Sequence, residues 1–310
     1  MHSVDFTVAI CTYKRPAMLH GVLESLEHQK GYGKVSWEVL VVDNDPCRSA
    51  KRVADQFALN KVLPLRYIHE RKVGLSHARN CAVRESRGAI IAFLDDDVLV
   101  PPHWLAEMAH IFERTNADCV GGRVLVKWDE PPEAPVRACE KELVAFDKGN
   151  LDYPFEKRSV PIGANLAIRT DVFDRESTFV CSLGRSHKTM LGGEEVELLF
   201  RLLKHGRQVW YSSGAYVMHR MAGERVKTDY YVRREYWNGV SLAVIDRLHN
   251  TPLYCHLKAW VRLAQLVVAL LPCSMWAWVN RDIGAQFLNI CRRQKYFAYW
   301  CETMGIAKRQ

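Results

Sequence analysis

The sequence predicts an α/β protein in which a mostly parallel sheet carries helices on both faces. Between Phe6 and Lys127, short runs of apolar and β-branched residues alternate with segments of helical periodicity. Two of the helical segments start shortly after a proline, Pro16 and Pro102, a residue that favours the first turn of a helix. Alternating strands and helices of this size are typical of parallel sheets that are covered on both sides.

The strand predictions rest on five apolar runs. In chain order these runs are FTVAI, WEVLVVD, LRYIH, GAIIAFLD and DCVGGRVLV. Between them, apolar residues recur at helical spacing in two segments, at Leu19, Val22, Leu23 and Leu26 and at Trp104, Leu105, Met108, Ile111 and Phe112. In such a sheet the carboxyl ends of the strands meet at one edge, where ligands bind.

After Lys127 the chain is predicted to add an insert, another helix and further strands. Residues 129–160 are rich in proline, glutamate and charge, and we interpret them as an excursion or flexible insert over the ligand edge. VPIGANLAIRTDVF predicts a strand that leads into a helix, and GGEEVELLFRLLKHG predicts a helix that is closed by Gly206. RQVWYSSGAYVMH predicts one or two further strands.

The composition is that of an ordinary globular protein with an excess of positive charge. The 310 residues are 48% hydrophobic and 25% charged, and the formal net charge is +8. This charge favours an anionic partner such as a nucleotide, a phospholipid surface or nucleic acid. The ten cysteines are dispersed and form no C-x-x-C pair, which is typical of reduced, mostly buried thiols in a cytoplasmic protein.

The C-terminal third of the chain is more apolar. Its uncharged run Leu263–Val279 is interrupted by Pro272 and is shorter than the roughly 20 apolar residues that cross a bilayer. Three interpretations stay open for this run. It is a helix packed on the domain or in an oligomer interface, an interfacial anchor with Trp276 and Trp278 at headgroup depth, or a transmembrane span.

Three adjacent carboxylates, Asp95, Asp96 and Asp97, follow the fourth strand. Their mutual repulsion is costly unless a basic side chain, a divalent cation or water compensates it. Mg²⁺ and Mn²⁺ are held by one or two carboxylates while substrate phosphates complete the coordination shell. An acidic triplet is otherwise a solvated turn or a helix cap, so the metal interpretation requires a diphosphate ligand nearby.

Residues at the other strand ends predict such a ligand. Asp43 ends the second strand and could accept a hydrogen bond from a base or ribose, although an Asx-turn is the alternative. Tyr13 follows the first strand and offers a stacking face. Arg79 lies in the segment RKVGLSHARNCAV, which starts a helix whose N-terminus attracts phosphate. Together these residues describe a pocket for a nucleotide diphosphate.

A glutamate pair opens the segment GGEEVELLFRLLKHG. At 100° per residue, Glu195 falls inside the apolar arc of the helix and Glu194 lies on the opposite face. The positive helix N-terminus explains Glu194 but not Glu195, because a buried carboxylate is costly without a purpose. Burial would raise the pKa of Glu195 toward that of a general base. His219, at the end of the last strand, is either a structural histidine or a nitrogen ligand to the same cation.

Seven segments together resemble the inverting glycosyltransferases of family 2, which have the GT-A fold. They are VAICTYKRP, EVLVVDND, GLSHARN, IIAFLDDD, GANLAIR, GGEEVELLFRLLKHG and AYVMH, and they cover about Val4 to His219. The resemblance implies a nucleotide-diphospho-sugar donor that is held by Mn²⁺ or Mg²⁺. We accordingly expect a GT-A domain over residues 1–225 and a helical region, a candidate for membrane association, over residues 226–310.

The resemblance also implies roles by position. The residues expected to bind the nucleotide are Thr12, Tyr13, Arg15, Asp43, Arg79, Asp95 and Asp96. The expected metal ligands are Asp97, Asp95 and His219. Glu195 is the expected catalytic base, at a position where the family usually has aspartate, and Glu194 is the alternative. The residues expected at the sugar or acceptor are Asn165, Gly193 and Glu194.

These roles imply a direct displacement at the anomeric carbon. Glu195 would take the proton of the attacking acceptor hydroxyl, while the metal and basic residues neutralise the leaving nucleotide diphosphate. We expect a UDP-linked hexose donor, and as acceptor a polyprenyl-linked intermediate of a bacterial surface polysaccharide or glycolipid. The enzyme would be cytoplasmic, at the inner face of the plasma membrane. A small-molecule acceptor and a homodimer stay open, and no nucleic-acid partner is expected.

Other function classes agree less well with the sequence. A retaining transferase of the same fold would not need the positioned carboxylate of Glu195. A nucleotidyltransferase would show a glycine-rich phosphate loop, and a dinucleotide oxidoreductase would show G-x-G-x-x-G, but AICTYKRP contains neither. A non-catalytic scaffold that binds nucleotide sugars at a membrane surface remains an alternative.

Overall fold

The computed structural model describes residues 3–155, 160–175, 178–186, 189–268 and 270–306. The chain forms two compact units. The sheet unit comprises Met1–Lys127, Phe146–Cys181 and Glu194–Arg220. The helical unit comprises Trp128–Ala145, Ser182–Gly193 and Met221–Gln310. Its last segment begins near residue 225, but the division of roles between residues 1–225 and 226–310 stays a prediction.

The described strands and helices follow the predicted alternation. The strands are β1 (Val4–Thr12), β2 (Trp37–Asp43), β3 (Leu65–His69), β4 (Gly88–Asp95), β5 (Val98–Leu99), β6 (Cys119–Trp128), β7 (Tyr153–Pro154), β8 (Asn165–Arg169) and β9 (Val209–Met221). The helices are α1 (Pro16–Glu27), α2 (Lys51–Asn60), α3 (Leu75–Glu85), α4 (Trp104–Arg114), α5 (Ala134–Ala138), α6 (Glu140–Leu143), α7 (Thr170–Arg175), α8 (Glu194–Lys204), α9 (Thr228–His249), α10 (Pro252–Val268), α11 (Leu270–Val279) and α12 (Ile283–Thr303).

Within the described residues, the strands form one nine-stranded mixed sheet. Its order is β3-β2-β1-β4-β8-β6-β9-β5, and β7 pairs with β9. The first four strands are parallel to one another, as predicted. Antiparallel pairing begins where β8 joins β4 and continues between β5 and β9. The predicted α/β class is confirmed, with a parallel half and an antiparallel half in one sheet.

The side chains of the central strands pack in two separate apolar cores, one on each face of the sheet. Val8 and Ile10 pack with residues of α1 and α4 on one face of the sheet. Leu40 and Val42 pack with residues of α3 and α8 on the other face. Side chains of a strand point alternately to its two faces, and here both faces are covered by helices. This confirms the predicted helices on both faces and explains why the central strands are almost continuously hydrophobic.

The segment that was predicted to be a flexible insert is partly ordered. Residues 129–155 contain α5, α6 and β7, and Val124 bridges Phe146 in antiparallel fashion. The short helices were missed because each has fewer than two turns and so shows no usable periodicity. Residues 156–159 of the predicted insert lie outside the described residues.

In the helical unit, α12 packs along α9 and also contacts α10 and α11. Gly239 of α9 allows a close approach, because a β-carbon there would lie 2.1 Å from the carbonyl oxygen of Lys295. Helix α10 is described up to Val268 and α11 from Leu270, two residues before Pro272, and residue 269 lies outside the described part of the chain.

No helix in the described part of the chain has both the length and the hydropathy that a bilayer-spanning segment requires. All ten cysteines lie in the described residues, where each is a free thiol. Six of them are buried, as predicted, namely Cys81, Cys119, Cys139, Cys255, Cys291 and Cys301.

Candidate active site

The sheet brings the predicted polar strand ends together. The register of β1 places Thr12 opposite Asp43 and Cys11 opposite Asp95. The antiparallel pairing of β5 with β9 places Val98 opposite His219. Val98 directly follows the acidic triplet, so this pairing brings His219 next to the three carboxylates. These pairings confirm that the three strand ends gather at one edge of the sheet.

Asp95, Asp97 and His219 form a group that could hold a metal ion. One ligand atom from each residue lies within 4.8 Å of the others, and Nε2 of His219 is 3.0 Å from Oδ1 of Asp97. Asp97 is buried, whereas Asp95 and His219 are partly exposed, so an ion here would face solvent on one side. Two carboxylates and an imidazole suit Mn²⁺ or Mg²⁺ with substrate oxygens in the remaining positions. The residues present therefore fit the ion that the resemblance implies.

Asp96 and Asp97 are partly neutralised by side chains that follow β1. Nη1 of Arg15 lies 2.8 Å from Oδ2 of Asp97 and 3.2 Å from Oδ1 of Asp96. Thr12 donates a 2.7 Å hydrogen bond to Asp96. Burial and the charge of Asp97 raise the pKa of Asp96 to about 6, and Arg15 and Thr12 oppose that rise. Arg15 is thus the basic side chain that compensates Asp96 and Asp97 of the acidic triplet.

Tyr13 lies between these residues in sequence and keeps its ring partly exposed. Nζ of Lys14 is 5.3 Å from the centre of that ring. Lys14 has a positive φ of 57°, which turns the chain between Tyr13 and Arg15. The stacking role of Tyr13 stays a prediction.

The carboxylate of Asp43 accepts hydrogen bonds within the protein. Its side chain is fully buried. Oδ1 accepts a hydrogen bond from the backbone N–H of Asp45, and Oδ2 accepts from the N–H of Ala50 and the hydroxyl of Tyr67. Asp43 therefore stabilises the turn after β2, as the Asx-turn alternative describes. Its contact with a base or ribose stays a prediction.

Asn165 has a structural role, and its expected contact with sugar or acceptor stays a prediction. It is fully buried, and its Oδ1 accepts a 3.0 Å hydrogen bond from Nε1 of Trp104. Its Nδ2 donates to the carbonyl oxygens of Arg123 and Ala215. These bonds join β8 to α4, β6 and β9, so Asn165 stabilises the antiparallel half of the sheet.

We expect Asn165→Ala to lower the free energy of unfolding by at least about 2 kcal/mol, because it leaves three buried polar groups without this partner. The Michaelis constant for the donor should be unchanged in the folded fraction. Urea unfolding and donor titration measure the two effects, with the exposed Asn60→Ala as control. If Asn165→Ala instead has wild-type stability and a raised Michaelis constant for the donor, the result would support the predicted contact of Asn165 with the sugar.

Arg79 lies inside the protein, at the centre of a carboxylate cluster. It is 4% exposed, and its Nη1 lies 2.6 Å from Glu194 and 3.7 Å from Glu195. Its Nη2 lies 3.5 Å from Asp95, and the guanidinium packs near the ring of Phe179. The expected contact with the nucleotide stays a prediction. Arg79 links Asp95 of the candidate metal group to the glutamate pair.

Gly163 makes room for Arg79. A β-carbon at Gly163 would lie 2.3 Å from Nη2 of Arg79, and the buried guanidinium has carboxylates around it that hold it in place. We expect Gly163→Ala to displace Arg79, to lower the free energy of unfolding by about 1–3 kcal/mol and to lower turnover. Thermal unfolding and rate measurements test this. Gly192→Ala is the control for stability, since its methyl group would meet no atom within 4 Å. Wild-type turnover in Gly163→Ala would contradict the role given to Arg79.

The burial predicted for the glutamate pair is wrong. Glu194 has 2% of its side chain exposed, whereas Glu195 has 16%. Burial and the charge of Glu195 raise the pKa of Glu194 above its usual range, and Arg79 opposes that rise. The helical projection failed because it considers α8 alone, whereas Arg79 comes from α3 and draws Glu194 inward. Glu195 is the member of the pair that solvent reaches.

Gly193, at the start of this motif, belongs to the helical unit. Its φ is +87°, a conformation that favours glycine, and a β-carbon would lie 3.0 Å from Cδ1 of Ile245. Its contact with sugar or acceptor stays a prediction.

Sequence reasoning missed Gly163 and the central position of Arg79, since neither glycine packing nor a buried ion pair has a local sequence signal.

Comparison with known proteins assigns the family. Residues 7–176 match the family model described as glycosyl transferase family 2. A glucosyl-dolichyl phosphate glucuronosyltransferase of Haloferax volcanii is 26% identical, over 78% of this chain and 78% of its own length. The succinoglycan biosynthesis protein ExoM of Rhizobium meliloti is 27% identical, over 76% of this chain and 74% of its own length.

The fold also matches a solved structure. The mannosyltransferase PcManGT from Pyrobaculum calidifontis, in complex with GDP-Man and Mn²⁺, superposes with a TM-score of 0.62. The match covers 98% of this chain and 89% of that protein at 15% identity, so it shows the GT-A fold alone. Because the family model covers just over half of the residues, the chain belongs to glycosyl transferase family 2.

Proposed function

We propose that this glycosyltransferase is a metal-dependent, inverting hexosyltransferase that uses a UDP-linked donor. The observation that carries the proposal is the position of Arg79, whose guanidinium contacts Asp95 of the metal-binding group and both glutamates of α8. One side chain thereby links the group that would hold the donor to the group that would activate the acceptor.

Asp95, Asp97 and His219 would hold Mn²⁺ or Mg²⁺. When bound, the ion supplies positive charge that neutralises the leaving nucleotide diphosphate. Arg15 would add a second positive charge at the same place, because its exposed guanidinium already contacts Asp96 and Asp97. Thr12 and Tyr13 would contact the nucleotide.

Glu195 would act as the general base. Its partly exposed carboxylate accepts the proton of the acceptor hydroxyl while the hydroxyl oxygen bonds to the anomeric carbon. The bond from that carbon to the diphosphate oxygen breaks in the same step, and the electron pair leaves with the nucleotide. Attack from the face opposite the leaving group inverts the anomeric centre. Glu194 and Arg79 hold Glu195 in place and do not touch the substrate.

We further propose a polyprenyl-linked acceptor in the assembly of a bacterial surface polysaccharide or glycolipid. The name of one relative, a glucosyl-dolichyl phosphate glucuronosyltransferase, supports a lipid-linked acceptor, and that of another, a succinoglycan biosynthesis protein, supports polysaccharide assembly. Such an acceptor would place the enzyme at the cytoplasmic face of the plasma membrane. The transferase domain would be residues 1–225, and the helices of residues 226–310 would meet either the membrane or a second copy.

The proposal is tested by incubating the protein with a panel of nucleotide sugars, with Mn²⁺ or with a chelator, and recording nucleotide release. We expect slow, Mn²⁺-dependent release from one UDP-sugar. Proton NMR of the transfer product then reports whether the anomeric configuration is inverted. Release that is independent of metal, or a product with retained configuration, would refute the corresponding part of the proposal. Metal-dependent donor binding without release or transfer would favour a non-catalytic scaffold.

A further inference from the structure

Helix α10 exposes several large apolar side chains. Among its described residues, the buried side chains are the small Cys255 and Ala259. Five of its large apolar side chains are at least 55% exposed, namely Leu253, Leu257, Trp260, Val261 and Val268. A helix that faces water has the opposite arrangement, with large apolar side chains turned toward the core.

The exposed residues form one surface on α10, and α11 repeats the pattern. The spacings of three and four between Leu253, Leu257, Trp260 and Val261 place them on one side of the helix. In α11, Ala277 is buried, whereas Met275, Trp278 and Val279 are at least 70% exposed. The side chain of Trp276 lies outside the described part of the structure. We call the exposed apolar residues of α10 and α11 the apolar face; exposed patches of this kind mark interaction sites.

The charge around this face is positive. Between Pro252 and Cys301 there are six basic residues, Lys258, Arg262, Arg281, Arg292, Arg293 and Lys295, and one acidic residue, Asp282. Asp282 uses its carboxylate to cap α12 by accepting a hydrogen bond from the N–H of Ala285.

Two of the six basic side chains are already neutralised within the helical unit. Lys258 pairs with Asp246 and Lys295 with Glu235. Arg281 lies two residues after the end of α11 and is exposed, and Arg293 donates a hydrogen bond to Ser274 of α11. The positive charge therefore lies in and beside the helices that carry the apolar face.

The apolar face together with the positive charge beside it favours a phospholipid surface as the partner over a second copy of the chain. A symmetric contact with a second copy would set one basic face against another, which like-charge repulsion opposes. An anionic phospholipid surface attracts the arginines and accepts the apolar side chains below its headgroups. The indole rings of Trp260 and Trp278 suit the boundary between headgroups and acyl chains.

The one-sided distribution of exposed apolar side chains determines the orientation. Cys255 and Ala259 are buried on one side of α10, so the opposite side, with Leu257 and Trp260, is the one that can meet acyl chains. We infer that α10 and α11 lie in the plane of the membrane interface and dock the enzyme on bilayers that contain anionic phospholipid. This inference goes beyond the transfer reaction and is independent of the donor and the acceptor.

The test measures flotation of the full chain with vesicles of phosphatidylcholine, with or without phosphatidylglycerol. We expect the wild type to float with the mixed vesicles and to be released by salt. Trp260→Glu combined with Trp278→Glu should lower the bound fraction at least about tenfold, because two charges enter the apolar face. Leu59→Glu is the matched control, since Leu59 is 80% exposed on α2 of the sheet unit. Arg281→Glu with Arg292→Glu should lower binding to the mixed vesicles only.

Three results would overturn the inference. They are a wild type that stays in the aqueous fraction, a Trp260/Trp278 variant that floats as well as the wild type, and a wild-type dimer that this variant dissociates without any vesicle binding. Circular dichroism checks that each variant is folded. Donor hydrolysis without vesicles should be unchanged in the tryptophan variant, so that a failure of docking is distinguished from a failure of the transferase proposal.

Discussion

Asp97→Asn is expected to lower turnover by about a hundredfold to a thousandfold, and the variant is expected to bind Mn²⁺ more weakly than the wild type. One oxygen of Asp97 faces Nε2 of His219 at 3.0 Å, and the other faces Arg15 at 2.8 Å. Asparagine keeps the shape of the side chain but loses the negative charge, and its amide N–H₂ must face one of these two groups. Calorimetric titration with Mn²⁺ in the presence of UDP measures the binding, and the donor assay measures the rate.

The loss in Asp97→Asn is expected without loss of stability. Removing the charge of Asp97 relieves its repulsion with Asp96, so the unfolding temperature should be equal to that of the wild type or higher. Asp55→Asn is the control, because Asp55 forms an exposed pair with Lys51 on α2. Mn²⁺ affinity at the wild-type level in Asp97→Asn would show that the metal, if it is required, is held elsewhere.

Features that depend on short-range pattern could be predicted from the sequence. The runs from WEVLVVD to GAIIAFLD are strands because buried parallel strands are continuously apolar, and their parallel register then brings the polar ends together. The proximity of Asp95, Asp97 and His219 followed from this arrangement and from the family resemblance. The antiparallel half of the sheet was less predictable, since strand direction has no local signal.

The errors arose where a distant residue determines the environment of a side chain. Arg79 precedes Glu194 by 115 positions, yet it reverses the burial that the periodicity of α8 predicts. Asn165 is satisfied by Trp104, which is 61 positions away. Asp43 was ambiguous, because the same residue type at a strand end either binds a ligand or closes a turn. The sequence motifs therefore predict that these residues lie near the strand ends, but they do not determine which groups each side chain contacts.

Glu195→Gln is expected to lower turnover by about a hundredfold or more, with donor binding retained. Glu195 is the more exposed member of the glutamate pair, and a neutral amide cannot accept the proton of an acceptor hydroxyl. Arg79 keeps Glu194 and Asp95 as partners, so the fold should be unaffected. Transfer kinetics and UDP titration separate the two effects. Transfer at the wild-type rate would exclude Glu195 as the base and leave Glu194 as the alternative.

Glu194→Gln is the matched variant for Glu195→Gln. The pH dependence of its activity shows whether Glu194 positions Glu195 or acts as the base itself. Burial and the charge of Glu195 raise the pKa of Glu194 to about 7. Below that pH Glu194 is neutral, so the ion pair of Arg79 with Glu195 becomes stronger and competes with the acceptor hydroxyl for the carboxylate of Glu195. We therefore expect kcat/KM to rise with pH through about 7 in the wild type, and to stay near the low acid value in Glu194→Gln.

Stability should change with pH in the opposite direction to activity. Because the folded-state pKa of Glu194 lies above its usual value of 4.5, its contribution to stability is present below pH 4.5 and is lost as the pH rises to about 7. Glu194→Gln removes this loss, so between pH 5 and pH 8 the free energy of unfolding should fall by on the order of 2 kcal/mol less in the variant than in the wild type. Urea unfolding at pH 5 and pH 8 measures the difference. Equal pH dependence in wild type and variant would mean that Glu194 is ionised throughout, and that its ion pair with Arg79 only supports the fold.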